Sequence, residues 1–345
     1  MSDKIVIPTM AFYRLYSPQQ VLDIIANLQR HHEIPRQYNY FSDGAGHWDQ
    51  YTRQLCTENS PNIVNSTVRL LETNAGYIDR MLSRYQRVNV IDVGVGNALP
   101  TRGLLARLLR SGKLGRYVAV DISTEMLSVA EDNVRTWFAD TVDFEGHVRD
   151  IMRDSLSDLL AEGDGQHGAG ETANVVLLLG GTALNFPDPK DVYKAIHHSM
   201  GQHDIFLCTS RVDTAESRNT FSFSTGAEQR TLPPQYRCVL DLLGIDESCY
   251  AVESGFDDDK RERYLHIRLK EDLAIRFSLS GGDRVIYLAK GQRILLWRAV
   301  QQTDRETLRQ LRDAGFSVHI ASQTPEATYL LTIARTAKKL HLTQA

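Results

Sequence analysis

Between residues 88 and 208 short apolar runs take turns with amphipathic stretches. The runs are 88–93, 117–120, 142–148, 174–179 and 204–208, and the stretches with helical spacing are 101–109, 124–137, 155–160 and 188–200. Strands that alternate with helices predict βαβ crossovers and a parallel sheet covered on both faces. The polar, glycine-rich segment 162–171 reads as a surface loop within this pattern. Upstream, Ser17 caps and Pro18 opens a helix whose stripe is Val21, Ile24, Ile25 and Leu28. A polar aromatic stretch, 38–51, leads to a second helical pattern over 62–82.

The rhythm stops over 214–255. Pro233 and Pro234 precede a helical run, 236–243, and 257–259 is an acidic turn. The runs 263–269, 273–279, 284–289 and 293–299 then read as antiparallel strands. Thr303 with Glu306 forms a capping box for a helix that stops at Gly315, and 316–321 and 329–334 close the pattern as two strands. No internal repeat is visible.

A length of 345 residues predicts two domains and a sizeable core. With 42% apolar and 24% charged residues the composition is that of a soluble globular protein. No apolar run approaches the roughly 18 residues needed to span a bilayer, and the first ten residues lack the layout of a secretory signal. Cys56, Cys208, Cys238 and Cys249 show no paired spacing, so free thiols in a reducing, cytoplasmic setting are expected. The adjacent pairs His31-His32 and His197-His198 do not point at one ion, and no metal is expected. Net charge is −4, and the basic residues are scattered. Nucleic acid and membrane are therefore not expected partners, and Arg335, Lys338 and Lys339 read as a solvated end. The expected partner is a small molecule; oligomeric state is open.

The sharpest local chemistry is Val90-Ile-Asp-Val-Gly-Val-Gly-Asn-Ala98. An apolar strand ends in Asp92, and a turn with Gly94 and Gly96 opens a helix, which lets the backbone approach a ligand closely. A dinucleotide enzyme would share the glycines, but its third glycine falls on Leu99. An acid ahead of the glycines suits the charged amino-acid end of S-adenosylmethionine. Asp121 ends the second strand, where a carboxylate accepts both ribose hydroxyls, and Asp150 ends the third, placed for the adenine amino group. Each acid alone is an ordinary strand-end or capping residue; three in step with the glycine turn point to a cofactor. Asn97, Ile122, Ile151 and Gly180 complete the expected cofactor set. The fourth strand runs into Gly180-Gly181-Thr182-Ala183-Leu184-Asn185, where Asn185 either faces the acceptor or makes an Asx bond in the turn.

The segments YFSDGAGHWDQYTRQLCTENSP, VIDVGVGNALPTR, YVAVDIS, LLLGGTALNF and DRETLRQLRDAGF together resemble the histidine-specific methyltransferases of ergothioneine pathways, relatives of the dimethylallyltryptophan N-methyltransferases. The resemblance runs from about Tyr40 to Phe316. It implies an α/β, class I methyltransferase fold, Rossmann-like with a mostly parallel seven-stranded sheet, at 63–213 plus 301–345. It also implies a second, α+β acceptor-substrate module at 1–62 plus 214–300. The family asparagine that grips the acceptor's amino-acid part falls on Asn185.

Departures from the family pattern concern the acceptor. Ser42 stands where histidine-methylating members have a tyrosine, and Asn59 falls in the run that carries their second tyrosine. Leu296-Trp297-Arg298-Ala299 replaces a T-E-x-S pattern whose Glu and Ser hold the imidazole nitrogens. A site that loses its ring partners loses its discrimination, so free histidine is not the expected substrate. The expected reaction is N-methylation of another amino acid or amino-acid-derived amine, arginine-like or aromatic, in natural-product biosynthesis. Asn185, Trp297, Ser42, Asn59, Trp48, Phe221 and Phe223 are the acceptor candidates; for the aromatics the plain alternative is core packing. No proton acceptor is identified. An NAD-dependent oxidoreductase and a catalytically idle methyltransferase-like subunit are the rival functions.

Overall fold

The computed structural model describes residues 4–58, 60–161, 172–220 and 231–337. Two compact units emerge, Met1–Gln50 with Phe221–Val300 and Tyr51–Thr220 with Gln301–Ala345. In chain order, β1 (Lys4–Val6), α1 (Met10–Leu15) and α2 (Pro18–His31) open the first unit. The division at 50/51 falls inside α3 (Asp43–Thr57), which is followed by α4 (Ile63–Thr73) and α5 (Ala75–Leu82). Then come β2 (Arg87–Val93), α6 (Arg102–Arg110), β3 (Leu114–Asp121), α7 (Thr124–Phe138), β4 (Phe144–Val148), α8 (Ser157–Ala161), β5 (Thr172–Leu178), α9 (Pro189–Ser199), β6 (Ile205–Arg211) and α10 (Ala215–Thr220). The first unit resumes with α11 (Pro234–Leu243), β7 (Tyr250–Asp257), β8 (Glu262–Leu269), β9 (Leu273–Leu279), β10 (Gly282–Leu288) and β11 (Arg293–Val300). The second closes with α12 (Asp304–Asp313), β12 (Phe316–Gln323) and β13 (Tyr329–Thr336).

The second unit holds a seven-stranded sheet in the order β12-β13-β6-β5-β2-β3-β4. Every strand is parallel except β13, which runs against both neighbours. The pleat sends Val88 and Val90 to one face, against Leu82, Leu104, Leu108 and Val134. It sends Ile91 and Val93 to the other, against Leu159, Val192, Ile196 and Leu311. Helices α5, α6 and α7 thus cover one face and α8, α9 and α12 the other. Connections leave β2 and β5 towards opposite faces, and a parallel sheet opens a crevice for a ligand at such a point. The 162–171 loop reading lies outside the described residues.

The first unit has one core between its helices and two three-stranded sheets, β1-β9-β10 and β11-β8-β7. Phe12, Ile24, Leu28, Val239, Leu265, Ile275 and Phe277 sit in it. Helix α2 starts with a capping box between Ser17 and Gln20, and its four apolar stripe residues are buried.

The units divide at 50/51 and 220/221, where the family resemblance implies 62/63 and 213/214. Hydrogen bonds give the reason. Asn62 and Asn65 donate to the Leu55 carbonyl at 2.8 and 2.9 Å, which ties the end of α3 to α4. Arg218 of α10 grips buried Asp213 beyond β6 through two bonds of 2.7 and 2.6 Å. The expected helix over 62–82 is interrupted at Asn74, whose side chain donates back to the Leu70 carbonyl at 2.8 Å and to Ser322 at 3.0 Å.

Candidate functional site

The tips of β2, β3, β4 and β5 lie side by side: Asp92 pairs with Ala119 and Leu177, and Asp121 with Val148. Between the β2 tip and α6 the chain turns through Gly94 and Gly96, both in the left-handed region at φ 69° and 54°, and Ala98 follows at 59°. A Cβ on Gly94 would stand 3.3 Å from the Thr182 methyl, whereas one on Gly96 would meet open space. The turn therefore needs glycine at the first position for close approach, and it leaves room above the second.

Asp92 is 2% exposed. Its Oδ2 accepts from Thr101 at 2.5 Å and from Tyr117 at 2.9 Å. Burial pushes its carboxyl up to about 6 against these two donors, with Asp121 adding a smaller push. Asp121 keeps some solvent contact, yet the protein around it also pushes its carboxyl up to about 6, against the amides of Ser123, Gly96 and Ile122. Ser123 donates to Oδ1 at 3.2 Å, and the Gly96 amide lies 3.5 Å from Oδ2. Asp150 is engaged locally. Its Oδ1 caps the Met152 amide at 3.0 Å, its Oδ2 lies 3.5 Å from Arg153, and its own amide donates to Asp154.

Asn97 is buried and closes an Asx turn onto the Leu99 amide at 3.2 Å. Ile122 and Ile151 are half-buried beside the strand ends. Gly180 and Gly181 continue β5 in the left-handed region, and the Gly180 amide donates to Thr209 at 3.0 Å. Asn185 ends the one-turn helix Thr182–Asn185, and its side-chain NH2 donates back to the Thr182 carbonyl at 3.2 Å, which is not an Asx bond; the residue is half-buried.

The remaining acceptor candidates belong to the first unit or fall outside the description. Ser42 is half-buried with φ 55°. Trp48 packs against Tyr40 and Tyr236, with the Arg36 guanidinium 4.8 Å over its ring. Trp297 follows a bulge in β11 and lies half-buried on the first unit's core. Asn59, Phe221 and Phe223 lie outside the described residues. Sequence reasoning did not single out Thr101 and Tyr117, which hold Asp92, nor Thr182, which lies against Gly94, nor Thr209, which accepts from the Gly180 amide.

These residues fit S-adenosylmethionine. Open space lies over Gly96 and Gly180, and Asp121 offers carboxylate oxygens at the neighbouring strand tip. The fold and this arrangement define a class I S-adenosylmethionine-dependent methyltransferase. Residues 19–336 match the family described as histidine-specific, SAM-dependent methyltransferase, and the chain belongs to that family. No curated protein matches the chain. Among similar solved structures is a S-adenosylmethionine-dependent methyltransferase from Clostridium acetobutylicum, 12% identical, with TM-score 0.44 and coverage of 85% of this chain and 98% of that one. The CcbJ methyltransferase from Streptomyces caelestis is 13% identical, with TM-score 0.41 and coverage of 86% and 100%. Magnesium protoporphyrin IX methyltransferase from Synechocystis is 12% identical, with TM-score 0.43 and coverage of 88% and 98%. Among the described residues no helix is long and apolar enough to cross a membrane.

Proposed function

We propose that this methyltransferase acts on a nitrogen of a free amino acid or amino-acid-derived amine other than histidine, in natural-product biosynthesis. An arginine-like or aromatic acceptor suits it best. The observation that carries the reading is Trp297 with Ala299, in place of the Glu and Ser that hold imidazole in histidine-methylating members. Trp297 packs on apolar residues. The nearby carboxylates of Glu33 and Glu262 are both paired with Arg298, so neither replaces the missing glutamate. An indole face suits a guanidinium or another aromatic ring.

When bound, S-adenosylmethionine supplies a methyl group on positively charged sulfur. The chain contributes positioning. Asp121 would accept hydrogen bonds from the ribose hydroxyls at the β3 tip, the glycine turn would let the backbone come close, and the Asn185 amide would grip the acceptor's amino-acid end. Holding reacting groups in line contributes on the order of 7–11 kcal/mol at best. The acceptor nitrogen must be neutral to react, so the site has to bind an amine that has shed its proton.

The test is kcat/KM for histidine beside arginine, tryptophan and their simple derivatives. The reading expects histidine to be the poorest. Histidine turned over as well as the best alternative would end it.

A further inference from the structure

Helix α7 carries one residue that does not suit its place. Met126, Leu127, Ala130 and Val134 form its buried stripe, and Asn133 shares that face at 7% exposure. Asparagine is a weak helix former, and a buried amide is costly unless its hydrogen bonds are made. Both are made here. Asn133 Nδ2 donates to the Asn97 carbonyl at 3.1 Å, and Asn133 Oδ1 accepts from Arg53 Nη2 of α3 at 2.5 Å.

The Asn97 carbonyl has no place in a helix or sheet. It lies between Gly96 and Ala98, both in the left-handed region, while the Asn97 side chain is turned to the Leu99 amide. We propose that Asn133 is a positioning residue for methyl transfer: it fixes the Asn97 peptide, and with it the glycine turn that receives the cofactor, while Arg53 holds the Asn133 amide in the orientation that donates. The amide cannot flip without placing its NH2 against the guanidinium and its oxygen against a carbonyl. The turn is thereby set before the cofactor arrives, which lowers the cost of binding.

The experiment is calorimetric titration of S-adenosylhomocysteine into the full chain and two variants, with thermal unfolding in parallel. Asn133→Leu completes the apolar stripe but takes this donor from the Asn97 carbonyl and an acceptor from Arg53, so it should melt below the unaltered chain and, well below its melting temperature, also bind about tenfold more weakly. Asn133→Asp keeps the shape and the Arg53 contact, but its carboxylate faces the Asn97 carbonyl. Its deficit should persist from about pH 8 to about pH 5, because the Arg53 guanidinium holds the carboxylate ionised and it cannot donate. A purely structural role would lower the melting temperature and leave the affinity of the folded protein alone. Variant affinities within twofold of the unaltered chain, at both pH values, would overturn the proposal. Absence of binding by the unaltered chain would instead count against the cofactor site itself.

Discussion

Tyr117 reaches from β3 to Asp92 on β2 and donates its phenol at 2.9 Å, and both residues are buried in the middle of the sheet. With Thr101 at the entrance to α6, it fixes the acid that precedes the glycine turn. The carboxylate thus braces the turn from beneath as well as standing at the strand tip.

Tyr117→Phe should therefore weaken the fold as well as the site. Removing a donor from a buried carboxylate costs about 1.5–3 kcal/mol, and the Asp92 carboxyl should rise further. Urea unfolding measures the first effect. A midpoint equal to that of the unaltered chain would show that Thr101 alone satisfies Asp92.

Acidity should act on the fold and on cofactor binding in opposite senses. The ordinary value for Asp92 and Asp121 is 3.8, and in the folded chain each is pushed up to about 6. Between those values the folded chain binds more protons than the unfolded one. This contribution to stability is full below 3.8 and is lost as pH rises through about 6. Accepting ribose hydroxyls requires the ionised Asp121, so S-adenosylhomocysteine should bind more tightly as pH rises through the same window. The ligand-induced rise in melting temperature should accordingly grow from about pH 5 to about pH 8. A rise independent of pH would remove Asp121 from the site.

Asn185→Ala should leave affinity for S-adenosylhomocysteine unchanged and raise KM for the acceptor about tenfold, the loss of one or two hydrogen bonds to a charged group. Initial-rate kinetics separate the two effects. An unaltered acceptor KM would leave Asn185 with only the bond that it makes to the Thr182 carbonyl.

In the first unit, Arg298 is 15% exposed and is paired with Glu33 and Glu262, themselves 18% and 9% exposed. Burial raises the Glu33 carboxyl in spite of Arg298, so desolvation outweighs the attraction. Arg298→Met takes its guanidinium from one buried and one half-buried carboxyl and should destabilise by about 3 kcal/mol, the lower end of the range for a broken buried pair, because Glu33 is partly exposed and can take up a proton. Denaturant unfolding checks this, and a loss below about 0.5 kcal/mol would mean that the cluster behaves as a surface ion pair.

The βα rhythm was legible because parallel strands buried on both faces read as unbroken apolar runs, as in Val88–Val93. The capping box of Thr303 with Glu306 was legible because its partners lie three residues apart, and the Ser17 cap was legible from Pro18 after it, whereas its reciprocal bond with Gln20 came from the structure. Strand β7 was not read, since Ser254 and Gly255 interrupt its apolar alternation of Tyr250, Val252 and Phe256. Helix α3 was hidden by its polar aromatic composition. At the site, the glycine turn and the strand-end acids follow from position in the chain. Their partners do not, because Tyr117 meets Asp92, and Asn133 meets Asn97, only after folding brings distant segments together. Asn133 alone left a local sign, a polar residue on an apolar stripe.

The most direct measurement is mass spectrometry of an amino-acid mixture incubated with the protein and methyl-labelled S-adenosylmethionine. The account predicts label on the nitrogen of an amino acid or amine other than histidine. Label confined to histidine, or label on none of the mixture, would contradict it.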